Sequence, residues 1–367
     1  MKGRKNLKKI LVVSGIPYSE TNRGIDTITS YFIEKNYEVS HLVFGVNSLK
    51  KIIKIKKVKI DKFQQLFSKS SYFSYLGIMG KYFPNFLLKY IIKKTNKTVN
   101  FISFEVFDLI VLEIGKPLFL LDVIPKDIPL IIRLSDSIEM AFGCKRKFFE
   151  MLENKAINRS RIVLVVNDEM KKKYKQIDKV LIWENGFNRN PQDSFFYDNN
   201  EKLIIYMGLA KIDYELINFL AKENNDLKFY IIGPHKRKKL NENIIFKGYL
   251  SEKEYMEIFR KSLCLLLPYN KKTVSRLKEG NLTSKIYIAM DLGKPILTVQ
   301  YGTLNEDNEK INLFAFKNYE EANQKLKNII KNKFTRTKEI DEILNKLELK
   351  NRKKELEKFL KEFKLIN

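Results

Sequence analysis

Residues 264–298 read CLLLPYNKKTVSRLKEGNLTSKIYIAMDLGKPILT. The apolar run that starts at Cys264 is a buried strand ending in Pro268-Tyr269. A polar loop follows, then a helix over 284–292, stopped by Gly293-Lys294-Pro295. A second strand occupies 295–299. In a parallel sheet, the end of the first strand, the loop and the helix start all lie on the carboxyl edge, where open α/β sheets take their ligands. The helix start offers free backbone N–H groups and the positive end of a dipole, which suit a phosphate. Ser284 opens that helix, and Lys285 in its first turn adds a positive charge. The stretch reads as a nucleotide-diphosphate site. The competing reading is a plain strand–loop–helix with an exposed lysine.

The sequence on either side has the same grammar. Upstream, strands at 203–207, 227–232 and 244–247 end in Gly208, Gly233-Pro234 and Gly248, and helices at 213–223 and 252–262 alternate with them. Gly208 and Gly248, without a Cβ, let the backbone approach a ligand closely. An earlier succession fills the first half. Strand 9–14 opens onto GIPYSETNRGID, with a helix over 26–35 and a strand over 38–44. Strands at 107–114, 129–134, 161–167 and 179–183 follow. The polar stretch NRNPQDSFFYDNNEK, 188–202, separates the two halves. From about 319 the chain is helical and rich in Lys and Glu. Two βα successions joined by a linker predict two Rossmann-like doubly wound domains facing across a cleft, 1–190 and 191–345. A C-terminal helix over 346–367 is placed to return to the first.

Composition limits the function classes. The 367 residues carry 69 Lys and Arg against 43 Asp and Glu, a net charge of +26. Cys144 and Cys264 are too few and too far apart for a disulfide framework, which points to a reducing cytoplasm. The N-terminus reads as a first strand, not a signal peptide. No window approaches the roughly 18 apolar residues of a spanning helix. The loop after the first strand lacks G-x-G-x-x-G, which argues against an ordinary dinucleotide-dependent dehydrogenase. Two histidines, His41 and His235, no clustered cysteines and no D-x-D pair indicate no metal, and His235 reads as a loop residue.

Residues 51–100 stand apart, with twelve lysines against one acid, Asp61. Lys51, Lys54, Lys56, Lys57 and Lys59 lead, and Phe73, Tyr75, Tyr82 and Phe83 are among the aromatics that follow. Such a segment suits an anionic bilayer, with aromatics in the interface and lysines on phosphates. A solvated helical face is the bland alternative. Nucleic acid is a third, against which stands the lack of any nucleic-acid-binding motif.

Several motifs, in order and spacing, resemble those of GT-B glycosyltransferases over nearly the whole chain. They are VVNDEM, WENGF, YMGLAKIDYELINFLA, FYIIGP, FKGYL, CLLLPYN and LTSKIYIAMDLGKP. The nearest likeness is to membrane-associated bacterial glucuronosyltransferases of exopolysaccharide assembly. That resemblance implies an inverting transfer from a nucleotide sugar, a UDP-sugar foremost, to a saccharide or lipid-linked saccharide, without metal or other cofactor. It implies a peripheral place on the inner face of the cytoplasmic membrane. IIRLSD matches the context of the family's base and assigns Asp136 as the group that deprotonates the acceptor hydroxyl. From the residues alone, Asp136 or its serine neighbour can also be a helix cap before IEMAF. Lys285 matches the lysine that contacts the donor phosphates, and Tyr269 is placed to pack on sugar or base. Two positions depart from the pattern: no proline precedes the lysine, and Ile288 stands where a Glu or Gln touches the nucleoside. Two alternatives remain: a GT-B-fold binding protein without turnover, and a basic nucleic-acid-associated protein.

Overall fold

The computed structural model describes residues 9–19, 23–46, 62–69, 80–174, 177–189, 202–235, 240–276, 284–301, 304 and 306–366. The chain forms two compact units, Met1–Gly186 with Leu349–Asn367, and Phe187–Glu348.

The first unit is built on seven strands: β1 (Lys9–Ser14), β2 (Glu38–Val46), β3 (Phe63–Lys69), β4 (Leu109–Glu113), β5 (Leu130–Leu134), β6 (Ile162–Val165) and β7 (Val180–Ile182). Their order is β3-β2-β1-β4-β5-β6-β7, and every neighbouring pair is parallel. Strands such as ILVV and LIVL show no apolar–polar alternation because both faces of the sheet are covered. Leu11, Val13, Ile110 and Leu112 enter the core on one face. Ile10, Val12, Leu109 and Val111 enter the core on the other. The strand order reverses between β1 and β4, which makes their carboxyl ends a switch point.

The C-terminal helix Leu349–Glu362 belongs to this first unit. Its Leu356 and Leu360 are fully buried in the core that holds Tyr31 and Phe32. Trp183, the only tryptophan, is buried with the guanidinium of Arg133 4.8 Å and that of Arg352 5.6 Å from its ring centroid. Its Nε1 donates to the carbonyl oxygen of Arg352 at 3.0 Å. One indole thus ties the last helix to the end of the sheet.

The second unit has six parallel strands: β8 (Leu203–Met207), β9 (Lys228–Ile232), β10 (Ile244–Gly248), β11 (Cys264–Leu267), β12 (Ile296–Val299) and β13 (Leu313–Phe316). Their order is β10-β9-β8-β11-β12-β13, reversing between β8 and β11. The helices are placed by local chemistry. Asp213 caps Tyr214–Glu223, and Ser251 with Glu254 forms a capping box at the start of Glu252–Lys261. The helix Ser284–Asp291 leads into β12.

Three elements differ from the sequence reading. β3 lies inside the basic segment, where FQQLFSK pairs with β2 through its backbone and shows little side-chain patterning. The polar loop after β11 contains a short helix, Lys271–Arg276, whose Thr273 N–H donates to Asn270 Oδ1 at 2.9 Å. The four-residue strand β13 is too short to carry a period. Among the described residues no helix is long and apolar enough to cross a membrane.

Candidate functional site

In the second unit the switch point brings three expected residues together. Gly208 directly follows β8, and Tyr269 lies two residues beyond the end of the neighbouring β11. Lys285 is the second residue of the helix Ser284–Asp291. Its Nζ donates to Tyr269 Oη at 3.3 Å and lies 5.3 Å from the Tyr206 ring centroid and 5.6 Å from that of Tyr269. A Cβ added at Gly208, whose φ is +147°, would stand 2.4 Å from that ammonium. Glycine is required here by backbone angle and by space together. No carboxylate pairs with Lys285 among the described residues. Burial lowers its pKa from the ordinary lysine value to about 8. An ammonium crowded in this way against two rings is costly to keep charged unless an anion joins it.

The backbone around it is tight. Gly208 N–H donates to the Ile232 carbonyl at 3.1 Å, and Gly233 N–H to the Gly248 carbonyl at 2.8 Å. A Cβ at Gly233, with φ +128°, would stand 2.2 Å from the Gly208 oxygen. His235 Nε2 lies 2.8 Å from that same oxygen, so the ring fastens the Gly208 turn. Gly248 takes a φ of +69°, and a Cβ there would meet nothing within 4 Å. It meets the Lys285 cluster at second hand, its carbonyl accepting from Gly233 N–H and its register partner Ile232 accepting from Gly208 N–H. Ser284 begins the helix as expected.

Tyr269 differs from its expected role. At 3% exposure its ring is enclosed, 6.4 Å from that of Tyr206 and 5.6 Å from that of Tyr301, so it holds the ammonium and presents no face to a sugar. Ile288 packs against the core of its unit. Sequence reasoning missed Tyr206, Tyr301 and Gly233. Tyr301, two residues past β12, repeats the position that singled out Tyr269 beyond β11. Tyr206 lies inside an apolar strand and gives no such sign.

In the first unit Asp136 stands two residues beyond β5 and is exposed. It is not the helix cap. Ser137 takes that place, its hydroxyl accepting from Met140 N–H at 3.3 Å. The Asp136 carboxylate makes no hydrogen bond among the described residues. Crowding around it pushes its pKa up, and nearby Arg133 pulls it back. Arg133 is fully buried and donates to the Trp183 carbonyl at 3.3 Å and to Asn185 Oδ1. It also presses on the start of the helix Gly24–Glu34, where a Cβ at Gly24 would fall 2.0 Å from its Nη2.

Glu113, a residue the sequence did not single out, closes β4 at the switch point and is the register partner of Arg133. Burial raises its pKa to about 7, with Arg133 and Arg23 opposing and Asp26 and Asp136 adding to the rise. Its one sequence sign is an acid at the end of an otherwise apolar strand. The native state disfavours the Glu113 carboxylate, so this group's contribution to stability is complete below about 4.5 and falls as pH rises to about 7. Denaturant melts of wild type and Glu113→Gln should therefore converge at the acid end of that window. Toward its upper end wild type should be the less stable. Parallel pH curves would contradict the assignment.

Of the surface residues named from sequence, Lys51, Lys54, Lys56, Lys57, Lys59, Phe73 and Tyr75 lie outside the described residues. Tyr82 is 69% exposed. Phe83 is half-buried and packs on the core of the first unit. No cluster of three or more His, Cys, Asp or Glu with metal-holding geometry occurs among the described residues.

No protein-family model matches the sequence, and a search of curated proteins finds no match. Solved structures do match. The S. aureus TarM complex with Fondaparinux, alpha-GlcNAc-glycerol and UDP is 13% identical, with a TM-score of 0.60 over 97% of this chain and 100% of that one. The E. coli trehalose-6-phosphate structure bound with UDP-2-fluoro glucose is 12% identical, with a TM-score of 0.63 over 98% and 100%. CalG4, the calicheamicin glycosyltransferase, is 10% identical, with a TM-score of 0.52 over 96% and 98%. Two parallel α/β units, each with its switch point, and a helical C-terminus match these structures along almost their whole length: the chain has the GT-B fold.

Proposed function

We propose that this chain is a glycosyltransferase that moves a sugar from a nucleotide-diphosphate donor, a UDP-sugar foremost, to a saccharide or lipid-linked saccharide acceptor. The observation that carries the reading is Lys285: a crowded ammonium without a carboxylate partner among the described residues, at the head of a helix and at the switch point of its sheet. UDP in two of the matching structures favours that nucleotide. The likeness of IIRLSD and LTSKIYIAMDLGKP to membrane-associated bacterial glucuronosyltransferases favours an inverting transfer in surface-polysaccharide assembly at the inner face of the membrane.

The diphosphate sits at the start of Ser284–Asp291, received by backbone N–H groups and Lys285. Gly208 and Gly248 admit the nucleotide. Asp136 takes the proton of the acceptor hydroxyl as that oxygen bonds to the anomeric carbon. The anomeric C–O bond breaks, and its electron pair leaves on the diphosphate. Fixed positive groups beside that developing charge lower the barrier. The scheme uses no cofactor step.

Titration of the purified protein with UDP-, GDP-, CMP- and dTDP-sugars tests the reading. One family of donors should raise the melting temperature, and slow donor hydrolysis should be seen with wild type and lost with Asp136→Ala. If no nucleotide sugar binds, the reading fails. The departure at Ile288 favours one alternative, a binding protein without turnover, for which a donor binds but neither hydrolysis nor transfer occurs.

A further inference from the structure

We infer that the helix Asn85–Asn96 is the surface by which the first unit docks on an anionic lipid bilayer. The inference deepens the membrane part of the proposed function by assigning it to a described element. Within that helix Leu88, Ile91 and Thr95 are buried at i, i+3, i+7 spacing. Phe86, Lys89, Tyr90, Lys93 and Lys94 follow i, i+3, i+4, i+7, i+8 and line the opposite side. Phe86 is 69% and Tyr90 55% exposed, and the four lysines Lys89, Lys93, Lys94 and Lys97 are exposed as well. An outward side of alternating aromatics and lysines is unusual for a water-facing helix, whose solvent side is ordinarily polar.

The neighbouring chain adds exposed aromatics and lysines of the same kind. Lys81 Nζ lies 5.1 Å from the ring centroid of Tyr82, and Lys94 Nζ 5.6 Å from that of Tyr90. Phe101 is a further exposed aromatic. Arg146 fixes the start of the helix, donating to the Gly80 carbonyl at 2.7 Å and to Asn85 Oδ1 at 2.8 Å. Charge complementarity selects the occupant. Between Asp61 and Glu105 the sequence carries no acid, and seven lysines fall in that interval. Nothing there repels an anionic surface. Aromatics level with ammonium groups match the layering of a bilayer interface, rings at the acyl boundary and charges among the phosphates. An acidic protein would use the lysines and leave the rings in water.

Co-sedimentation of the full chain with phosphatidylcholine vesicles, with and without phosphatidylserine, tests this. Binding should require phosphatidylserine and weaken with salt. Each lysine removed from Lys81, Lys89, Lys93 and Lys94 by exchange for Gln should weaken partitioning roughly fivefold. The triple variant Tyr82→Ser, Phe86→Ser, Tyr90→Ser should lose most binding even though every lysine remains. These side chains are exposed, so the variants should melt with wild type. Brominated acyl chains should quench the emission of Phe86→Trp. Wild-type partitioning in the lysine or aromatic variants, or binding to single-stranded RNA that is as tight and equally lost on substitution, would overturn the inference. Donor binding stays intact in either outcome, so failure here is distinct from failure of the transferase reading.

Discussion

Replacing Lys285 by Ala should lower transfer by roughly 10²–10³-fold, the loss typical when a fixed donor to a developing oxyanion is removed. The ground state should suffer as well, because a hydrogen bond to a charged group contributes about 1.5–3 kcal/mol. Donor affinity should therefore fall along with turnover. Arginine should not rescue it. The Lys285 Nζ already occupies the space a Cβ at Gly208 would need, so a broader planar guanidinium has no room beside that turn. Gly208→Ala should mimic the lysine loss in milder form by pushing the ammonium aside. Turnover measured against saturating donor separates the two effects. Wild-type rates in Lys285→Ala would remove the phosphate from this helix.

Asp136→Asn should lower transfer by about 10²–10⁴-fold, the range for a lost general base, while leaving donor binding unchanged. The amide keeps the shape and loses only the ability to take a proton. Desolvation raises the Asp136 pKa and Arg133 limits that rise, so the wild-type rate should drop on the acid side as the carboxylate protonates. In Asp136→Asn that acid limb should vanish from the residual activity. A residual rate with the limb intact would transfer the proton to another group, and Glu113, whose pKa burial raises to about 7, is a candidate of suitable chemistry.

Much of the architecture was legible because each parallel strand is an unbroken apolar run closed by Gly, Pro or a polar residue. β8 was read at its observed bounds, and the helix Ser284–Asp291 to within one residue. The same punctuation picked out the candidate residues, since Gly208, Tyr269 and Asp136 all follow strand ends. What sequence could not show was long-range. Trp183, between the guanidiniums of Arg133 and Arg352, lies 169 positions from the carbonyl it binds. Glu113 gains its chemistry from burial within the folded sheet, and its register partner Arg133, twenty residues on, opposes that rise, neither of which shows in the local sequence. Tyr269 carried the right position and the wrong orientation, because only packing reveals that Tyr206 and Tyr301 enclose it. Phe86 and Tyr90 stand in the sequence only as two of the aromatics of a basic segment read by composition. Their helical phase emerges only once Leu88 and Ile91 are seen to face inward.

Calorimetric titration of UDP into wild type and Lys285→Ala, across pH values on either side of about 8 and in buffers of different ionisation enthalpy, tests the central claim most directly. An anion beside Lys285 favours its charged form, so binding above that pH should take up a proton, and affinity should fall as pH rises. The alanine variant should bind weakly and show neither effect. UDP binding of equal strength in both proteins, with no proton uptake in wild type, would contradict the account.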